Sequence, residues 1–199
     1  MRRLPISPRS PSTSLSRILL QSTRRKMENK LQNKAQVVRP ESSSTITLTG
    51  KISIFLAGTT TPGDGPDWRE TLTKAIDHHP VTVFNPFNKK WDASWKEDIE
   101  FPPFRQQVDW ELDKQELADI IVIYFGPQTE TPISLLEFGL FARSNKVIVC
   151  CDKLYRKRGN VEIVAKRLGV EFWDTEEELA AAVNAKLESL LVEQGGQNA

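Results

Sequence analysis

One acidic residue, Glu137, stands inside an apolar segment and is the strongest candidate for chemistry in the sequence. The segment, residues 131–142, follows a strand-like run, Ile120–Phe125, and a short polar loop. Its second residue is a proline, which favours the first turn of a helix. A carboxylate among leucines and phenylalanines is costly to bury unless it is paired or used. Ser134 lies one turn before Glu137 on the same helix face.

This setting suggests a particular reaction for Glu137. An ionised, partly desolvated carboxylate at the ligand edge of an α/β sheet can attack the anomeric carbon of a sugar and form a glycosyl–enzyme ester. The alternative is a carboxylate that is hydrogen bonded into a structural network. The sequence therefore predicts that Glu137 is buried and has partners, and it leaves both roles open.

A second group of acids precedes the central strand-like run. Asp109 and Glu111 lie on a predicted helix, and Asp109 shares a face with Asp113, four residues further on. One interpretation places Asp109 in the site, and the other makes these acids a solvated face of the helix. His78 and His79 end an exposed predicted helix, and no catalytic role is expected for them.

Two loops carry residues that suit contact with a ligand. Residues 58–65 contain glycines that let a backbone approach a ligand closely, but they lack the Gly-x-Gly-x-x-Gly pattern and the lysine of a phosphate-binding loop. A dinucleotide or triphosphate site is therefore disfavoured, and a plain loop is the alternative. Phe87, Trp91 and Trp95 lie in a later loop, where they either stack on a planar base or pack the loop onto the sheet.

From residue 51 onward, the chain alternates between strand and helix patterns. Five such units indicate an α/β fold, flavodoxin-like or Rossmann-like, with a five-stranded parallel sheet and helices on both faces. The predicted strands are 51–57, Val81–Phe84, Ile120–Phe125, 146–150 and 170–173, and the predicted helices are 67–79, 104–118, 132–144, 160–168 and 175–192. Because ligands bind at the carboxyl ends of such strands, the expected site is formed by loops 58–66, 85–103, 126–131 and 151–160.

The ends of the chain differ in composition from its middle. Residues 1–48 are predicted to be a disordered extension, 49–193 the folded domain and 194–199 a flexible tail. Seven of the 27 Lys and Arg residues and none of the 26 acids precede Met27, so the rest of the chain carries 20 basic and 26 acidic side chains, a formal charge of −6. An acidic body argues against nucleic acid as a partner. No apolar run reaches the length of a membrane span, so no membrane partner is expected.

The cysteines and the basic end of the chain bear on location. Cys150 and Cys151 are adjacent, which makes a poor disulfide and fits no metal-ligand spacing, so we expect reduced core cysteines, no metal site and a cytoplasmic protein. The arginine- and serine-rich stretch before Met27 has the composition of a mitochondrial transit peptide, which gives the alternative location. Translation that begins at Met27 is a further alternative.

At these residues the chain resembles the nucleoside 2-deoxyribosyltransferase-like family. The matching segments are Ile-Phe-Leu-Ala-Gly (54–58), Phe-Asn-Pro (84–86), Gln-Val-Asp-Trp-Glu-Leu (107–112), Ala-Asp-Ile (118–120), Pro-Ile-Ser-Leu-Leu-Glu-Phe-Gly (132–139) and Gly-Asn-Val (159–161). The resemblance implies a flavodoxin-like fold. It also implies cleavage of the N-glycosidic bond of a nucleoside or deoxynucleoside, without a metal or an organic cofactor.

The resemblance also implies roles for individual residues. Glu137 falls at the family's nucleophilic glutamate, and Asp109 falls at an aspartate that contacts the base and helps its protonation. Asn160 falls at an asparagine that holds a sugar hydroxyl, often in a neighbouring subunit's site, which implies a homo-oligomer. The expected substrate-binding residues are Gly58, Asn85, Trp91, Glu130, Ser134 and Asn160.

One position departs from the family pattern. Some members carry a second aspartate shortly before the nucleophile, where this chain has Thr131 with Glu130 beside it. Three interpretations follow from the departure. Glu130 substitutes for the aspartate, or the protein is a nucleoside or nucleotide N-hydrolase, or it is a relative that binds nucleotides without chemistry.

Overall fold

A computed structural model describes residues 34–41, 46–60, 67–92 and 94–196 of the chain. These residues form a six-stranded parallel sheet with helices on both faces. The strands are β1 (Gln36–Val38), β2 (Ile52–Gly58), β3 (Val81–Phe84), β4 (Ile120–Phe125), β5 (Val147–Cys151) and β6 (Glu171–Trp173). The helices are α1 (Trp68–Ala75), α2 (Pro102–Leu117), α3 (Pro132–Phe141), α4 (Arg158–Leu168) and α5 (Glu176–Gly196).

The strand order, β1-β3-β2-β4-β5-β6, confirms the predicted α/β fold. Without β1, the order is that of the flavodoxin-like fold, in which the chain moves outward from β2 to β3 and then crosses back to β4. Right-handed crossovers in opposite directions place their helices on opposite faces. Accordingly, α1 and α5 cover one face of the sheet, and α2, α3 and α4 cover the other.

Burial on both faces explains the composition of the central strands. β4 is apolar at all six positions, and all six residues are buried. Phe138 and Val161 pack on one face of the sheet, and Leu72 and Leu179 pack on the other. The central strands are thereby fixed in register, and their carboxyl ends meet along one edge of the sheet.

The sheet has one strand more than predicted. β1 pairs in parallel with β3 and lies inside the segment 1–48 that the sequence analysis assigned to an extension. Val38 is buried, and the Gln36 side chain bonds backbone groups of the segment that follows. The folded unit therefore begins before residue 49. The possible transit peptide and Met27 lie outside the described residues.

The ends of two helices bear on other predictions. The N-cap of α1 is Asp67, the first residue of the predicted helix 67–79, and its Oδ1 accepts a hydrogen bond of 3.0 Å from the backbone nitrogen of Arg69. α5 continues to Gly196 and so includes part of the predicted tail. Within the described part of the chain, no helix combines the length and the apolar character that a membrane span requires.

Candidate active site

The carboxyl ends of β2 and β4 lie side by side where the chain reverses its direction across the sheet, and ligands bind at such points in α/β folds. Gly58 ends β2 with a φ of 129° and lies opposite Tyr124. A Cβ atom on Gly58 would lie 2.3 Å from the Tyr124 carbonyl oxygen. Glycine is therefore required here for the close approach of two strands.

Glu137 is buried at this edge, on α3, which packs against β2 and β4. The side chain is 8% exposed, and its Oε1 accepts a hydrogen bond from Nε2 of Gln115 on α2. Burial, and then the charge of Glu111, raise the pKa of Glu137 to about 7, against the lowering effects of Gln115 and Arg69. The carboxylate form of Glu137 therefore appears near neutral pH.

α2 supplies a row of polar side chains, Gln107, Glu111 and Gln115, spaced by four residues. Gln107 Nε2 donates to Glu111 Oε1 at 2.7 Å, and Gln107 Oε1 accepts from Asn88 Nδ2 at 2.9 Å. Burial raises the pKa of Glu111, against the lowering effects of Gln107 and Arg69. The row links the loop after β3 to the half-buried Glu111 and the buried Glu137.

Arg69, the second residue of α1, supplies the positive charge of this region and is 4% exposed. Its Nη2 donates to the carbonyl oxygen of Gly58 at 2.9 Å, and its Nη1 donates to that of Thr59 at 2.8 Å. Burial lowers the pKa of Arg69, against the raising effect of three acids that include Glu137 and Glu111. Arg69 thus caps the end of β2 and acts electrostatically on both carboxyl groups.

Two carboxyl groups and one guanidinium therefore share the buried carboxyl edge of the sheet. One cation balances one carboxylate, so the second carboxyl group favours its protonated form. Paired carboxyl groups of this kind can divide the roles of nucleophile and proton donor. In the described residues, no three His, Cys, Asp or Glu side chains are grouped so as to hold a metal ion.

Three further predicted residues are buried in this part of the molecule: Gly58, Asn85 and Ser134. Ser134 precedes Glu137 by one turn of α3. Asn85 directly follows β3, and its Oδ1 accepts a hydrogen bond of 3.0 Å from the backbone nitrogen of Phe87. The structure thus places these residues at the ends of β2 and β3 and at the start of α3.

Three other predicted residues lie on the exposed surface. Asp109 forms a 3.4 Å ion pair with Arg105 on the outer side of α2. Glu130 forms a 3.0 Å ion pair with Arg156. Asn160 is exposed near the start of α4. The structure does not bring these three side chains into the buried carboxyl cluster of this chain.

The aromatic loop packs largely on itself. The Trp91 ring lies 5.1 Å from the ring of Trp95 and 6.3 Å from that of Phe104 at the start of α2. Phe87 lies under the guanidinium of Arg39, 5.6 Å from its carbon. These contacts are within the loop, with α2 and with Arg39, and none of them is with a strand of the sheet, while Trp91 remains 44% exposed.

Sequence reasoning missed Arg69, Gln107 and Gln115, and it did not separate Glu111 from Asp109. The available signal was the spacing of four residues, which puts Gln107, Glu111 and Gln115 on one face of α2 and Asp109 on another. No comparable signal marked Arg69, because its partners are backbone carbonyls of a distant strand.

Comparison with known proteins adds an independent finding. A family model described as nucleoside 2-deoxyribosyltransferase like matches residues 51–155. The match spans β2 to β5 and thus contains Glu137, the polar row of α2 and Arg69. A search of curated proteins finds no match. Because the family model covers more than half of the sequence, the chain belongs to the nucleoside 2-deoxyribosyltransferase-like family.

Proposed function

We propose that the protein cleaves the N-glycosidic bond of nucleosides, deoxynucleosides or their nucleotides, with Glu137 as the nucleophile. The observation that carries the proposal is the burial of Glu137 near Glu111 and Arg69 at the switch point of the sheet. A carboxylate with a perturbed pKa at such a point is a candidate for catalysis. Membership of the family supports a nucleoside as the substrate.

In the first step, a carboxylate oxygen of Glu137 attacks C1′ of the sugar. The bond from C1′ to that oxygen forms, the bond from C1′ to the base nitrogen breaks, and its electron pair leaves with the base. The departing nitrogen takes a proton, for which Glu111 is the proposed donor, because burial raises the pKa of its carboxyl group. Asp109 is assigned a contact to the outer part of the base, because it lies on the exposed side of α2.

In the second step, an acceptor base or a water molecule attacks C1′ and loses a proton to the Glu111 carboxylate left by the first step. The ester bond breaks, which regenerates the Glu137 carboxylate. Each displacement inverts C1′, so the product retains the configuration of the substrate. Attack by a base makes the protein a transferase, and attack by water makes it an N-hydrolase. The two functions share the first step and differ in the second nucleophile.

The remaining predicted residues are assigned to binding. Ser134, Asn85 and the backbone at Gly58 are assigned to the sugar side, because they surround the ends of β2 and β3 and the start of α3. Trp91 is assigned to stacking on the base, which its exposed ring permits. Glu130 is assigned a polar contact from the loop before α3.

A homo-oligomer is the second part of the proposal. Ile133, Leu136 and Leu140 form an outward stripe on α3 and are each more than half exposed, and Ile163 on α4 is exposed as well. A second copy of the chain would cover this apolar surface and would bring its own Asn160 to the site, as the resemblance implies. Leu140→Glu should therefore reduce the molar mass measured by light scattering, and an unchanged mass would contradict this surface as the interface.

The test of the proposed reaction is incubation with a panel of ribo- and deoxyribonucleosides and their 5′-monophosphates, with and without a free acceptor base. Chromatography should show release of the base, and a new nucleoside in the presence of the acceptor would identify a transferase. Release without exchange would identify the hydrolase. Nucleoside binding without release of any base would contradict the enzymatic proposal and select a binding protein.

A further inference from the structure

We infer that Arg69 is a positioning residue for the Glu137 nucleophile. The Arg69 side chain holds the loop before α3 in place, and its buried charge favours the ionised form of Glu137. This inference rests on the proposed function and adds to it a residue outside the carboxyl pair.

The hydrogen bonds of Arg69 leave its charge available to the site. All three guanidinium nitrogens donate to backbone carbonyls, the third bond running from Nε to Leu56 at 3.4 Å. A carbonyl group satisfies a donor without cancelling its charge. The direct carboxylate contact of Arg69 is with Asp67 at 3.9 Å, and that side chain is 37% exposed. Solvent screens this partly exposed pair, and the guanidinium charge also acts on Glu137 and Glu111.

Thr59 connects Arg69 to the loop that precedes α3. Its carbonyl accepts from Arg69, and its Oγ1 accepts a 2.7 Å hydrogen bond from the backbone nitrogen of Gly126. Thr129 Oγ1 lies 3.4 Å from Thr59 Oγ1 and donates to the carbonyl oxygen of Gly126. The cap on β2 and the loop after β4 therefore form one hydrogen-bonded unit.

The loop held by this unit contains unfavourable backbone conformations. Gln128 has a φ of 53° and Thr131, at the N-cap of α3, has a φ of 40°. Residues other than glycine adopt such angles at a cost and need surrounding contacts to keep them there. Thr131 begins the helix that carries Glu137, so a loop that relaxed would move the nucleophile.

The charges around Glu137 come from two helices. α2 contributes the acid Glu111 and the neutral amide of Gln115, and α1 contributes the cation Arg69. Without Arg69, two buried carboxyl groups would face each other with no cation, and ionisation of Glu137 would need a higher pH. Arg69 lowers the pKa of Glu137 and also that of Glu111.

The test compares Arg69→Gln, which removes the charge, with Arg69→Lys, which keeps it, and with Arg158→Gln as a matched control at the end of β5. The rising limb of kcat/KM against pH reports ionisation of the nucleophile. Arg69→Gln should move this limb upward by about one pH unit, and the other two variants should leave it in place. An unchanged limb in folded Arg69→Gln, or an equal movement in Arg69→Lys, would overturn the role of the charge.

The positioning role of Arg69 is tested by kcat at the pH optimum. Arg69→Lys should lower kcat about tenfold at the pH optimum, because one ammonium cannot serve the carbonyls of both Gly58 and Thr59. Thr59→Val, which keeps the cation and removes the link to Gly126, should have a similar effect. Wild-type turnover in folded Arg69→Lys and folded Thr59→Val would overturn the positioning role. This outcome does not depend on whether Arg69→Gln folds.

A second measurement separates this inference from the proposed function. Infrared difference spectra of the wild type against Glu137→Gln report the protonation of Glu137 without any reaction. The carboxyl band of Glu137 should persist to higher pH in Arg69→Gln than in the wild type. If the protein releases no base but the band still moves, the proposed reaction is contradicted and the role of Arg69 stands. A band that does not move overturns the electrostatic role of Arg69 alone.

Discussion

Two arginines cap strand ends at the same edge of the sheet, and their surroundings differ. Arg69 lies at the end of β2, is buried, and donates to backbone carbonyls. Arg158 donates to the carbonyl oxygen of Cys151 at the end of β5, but it also bonds Asp174 at 2.6 Å and lies 3.7 Å from Glu162. Arg158 therefore forms ion pairs with two acids, one of them at 2.6 Å, whereas the ion pair of Arg69 with Asp67 is longer, at 3.9 Å.

The comparison shows that an arginine at the end of a strand can serve either of two purposes in this fold. The guanidinium of Arg158 packs over the ring of Phe172 and ties β5 to the segment after β6, which is a structural role. The guanidinium of Arg69 caps a strand at the switch point, and its buried charge acts on Glu137 and Glu111 as well as on Asp67. Carboxylates near Arg158 should thus matter for stability, and those near Arg69 for the reaction.

The largest expected effect is that of Glu137→Gln compared with Glu162→Gln, the carboxylate beside Arg158. Loss of the nucleophile should lower the rate of base release by at least about a thousandfold, since no other carboxylate is placed to form the ester. Glu162→Gln should leave that rate unchanged. Single-turnover base release measures both, and loss of activity of the same size in the two variants would remove the distinction between the two regions.

Glu111→Gln should have the next largest effect, with Asp174→Asn as its counterpart at Arg158. Loss of the proposed proton donor should lower kcat about a hundredfold. The rising limb of the pH profile should also move to lower pH, because the charge of Glu111 raises the pKa of Glu137. Asp174→Asn should lower the melting temperature and leave the limb in place. A limb that does not move in Glu111→Gln would exclude electrostatic coupling of the two acids.

The stability of the protein should also depend on Glu137. Its pKa rises from an ordinary value of 4.5 to about 7 on folding, so between those two values the folded state holds a proton that the unfolded state has released. The free energy of unfolding therefore falls as the pH rises through this window, by about 3 kcal/mol at most. In Glu137→Gln the free energy of unfolding does not fall in this way with rising pH. The melting temperature of this variant should therefore exceed that of the wild type by several degrees at pH 8, but not at pH 4. Equal melting temperatures at both pH values would contradict the burial of an ionisable Glu137.

The smallest effect concerns the β1 edge, which supports the site from outside. Val38 on β1 is buried, and its carbonyl oxygen accepts a 2.9 Å hydrogen bond from the backbone nitrogen of Asn85. Deletion through residue 41 should lower the melting temperature by a few degrees more than deletion through residue 33, since only the longer deletion removes β1. The pH profile should be the same for both. Equal melting temperatures would show that β1 contributes nothing to stability.

Much of the fold could be predicted from the sequence, because strand and helix patterns alternate from residue 51 and β4 is entirely apolar. β1 could not, since three residues give no periodicity and their pairing with β3 is a tertiary contact. Within the site, the apolar surroundings of Glu137 predicted its burial, which the structure confirms.

The remaining partners of the site depended on contacts between distant segments. The spacing of four residues places Glu111 and Asp109 on different faces of α2, but only the packing of α2 on the sheet decides that Glu111 is half-buried and Asp109 exposed. Arg69 resembles any charged residue at the start of an exposed helix until the carbonyls of β2 are placed beside it. Long-range geometry of this kind carries no local signature.

The central claim, that Glu137 becomes covalently linked to the sugar, can be tested directly by trapping. A nucleoside with a 2′-fluoro-2′-deoxy sugar should glycosylate the enzyme and turn over slowly, because the fluorine destabilises the oxocarbenium-like transition state of both steps. Mass spectrometry of the digested protein should then find the fluorosugar on Glu137, with no adduct in Glu137→Gln. Base release from this substrate with no adduct on Glu137, or with the adduct on another residue, would contradict the account.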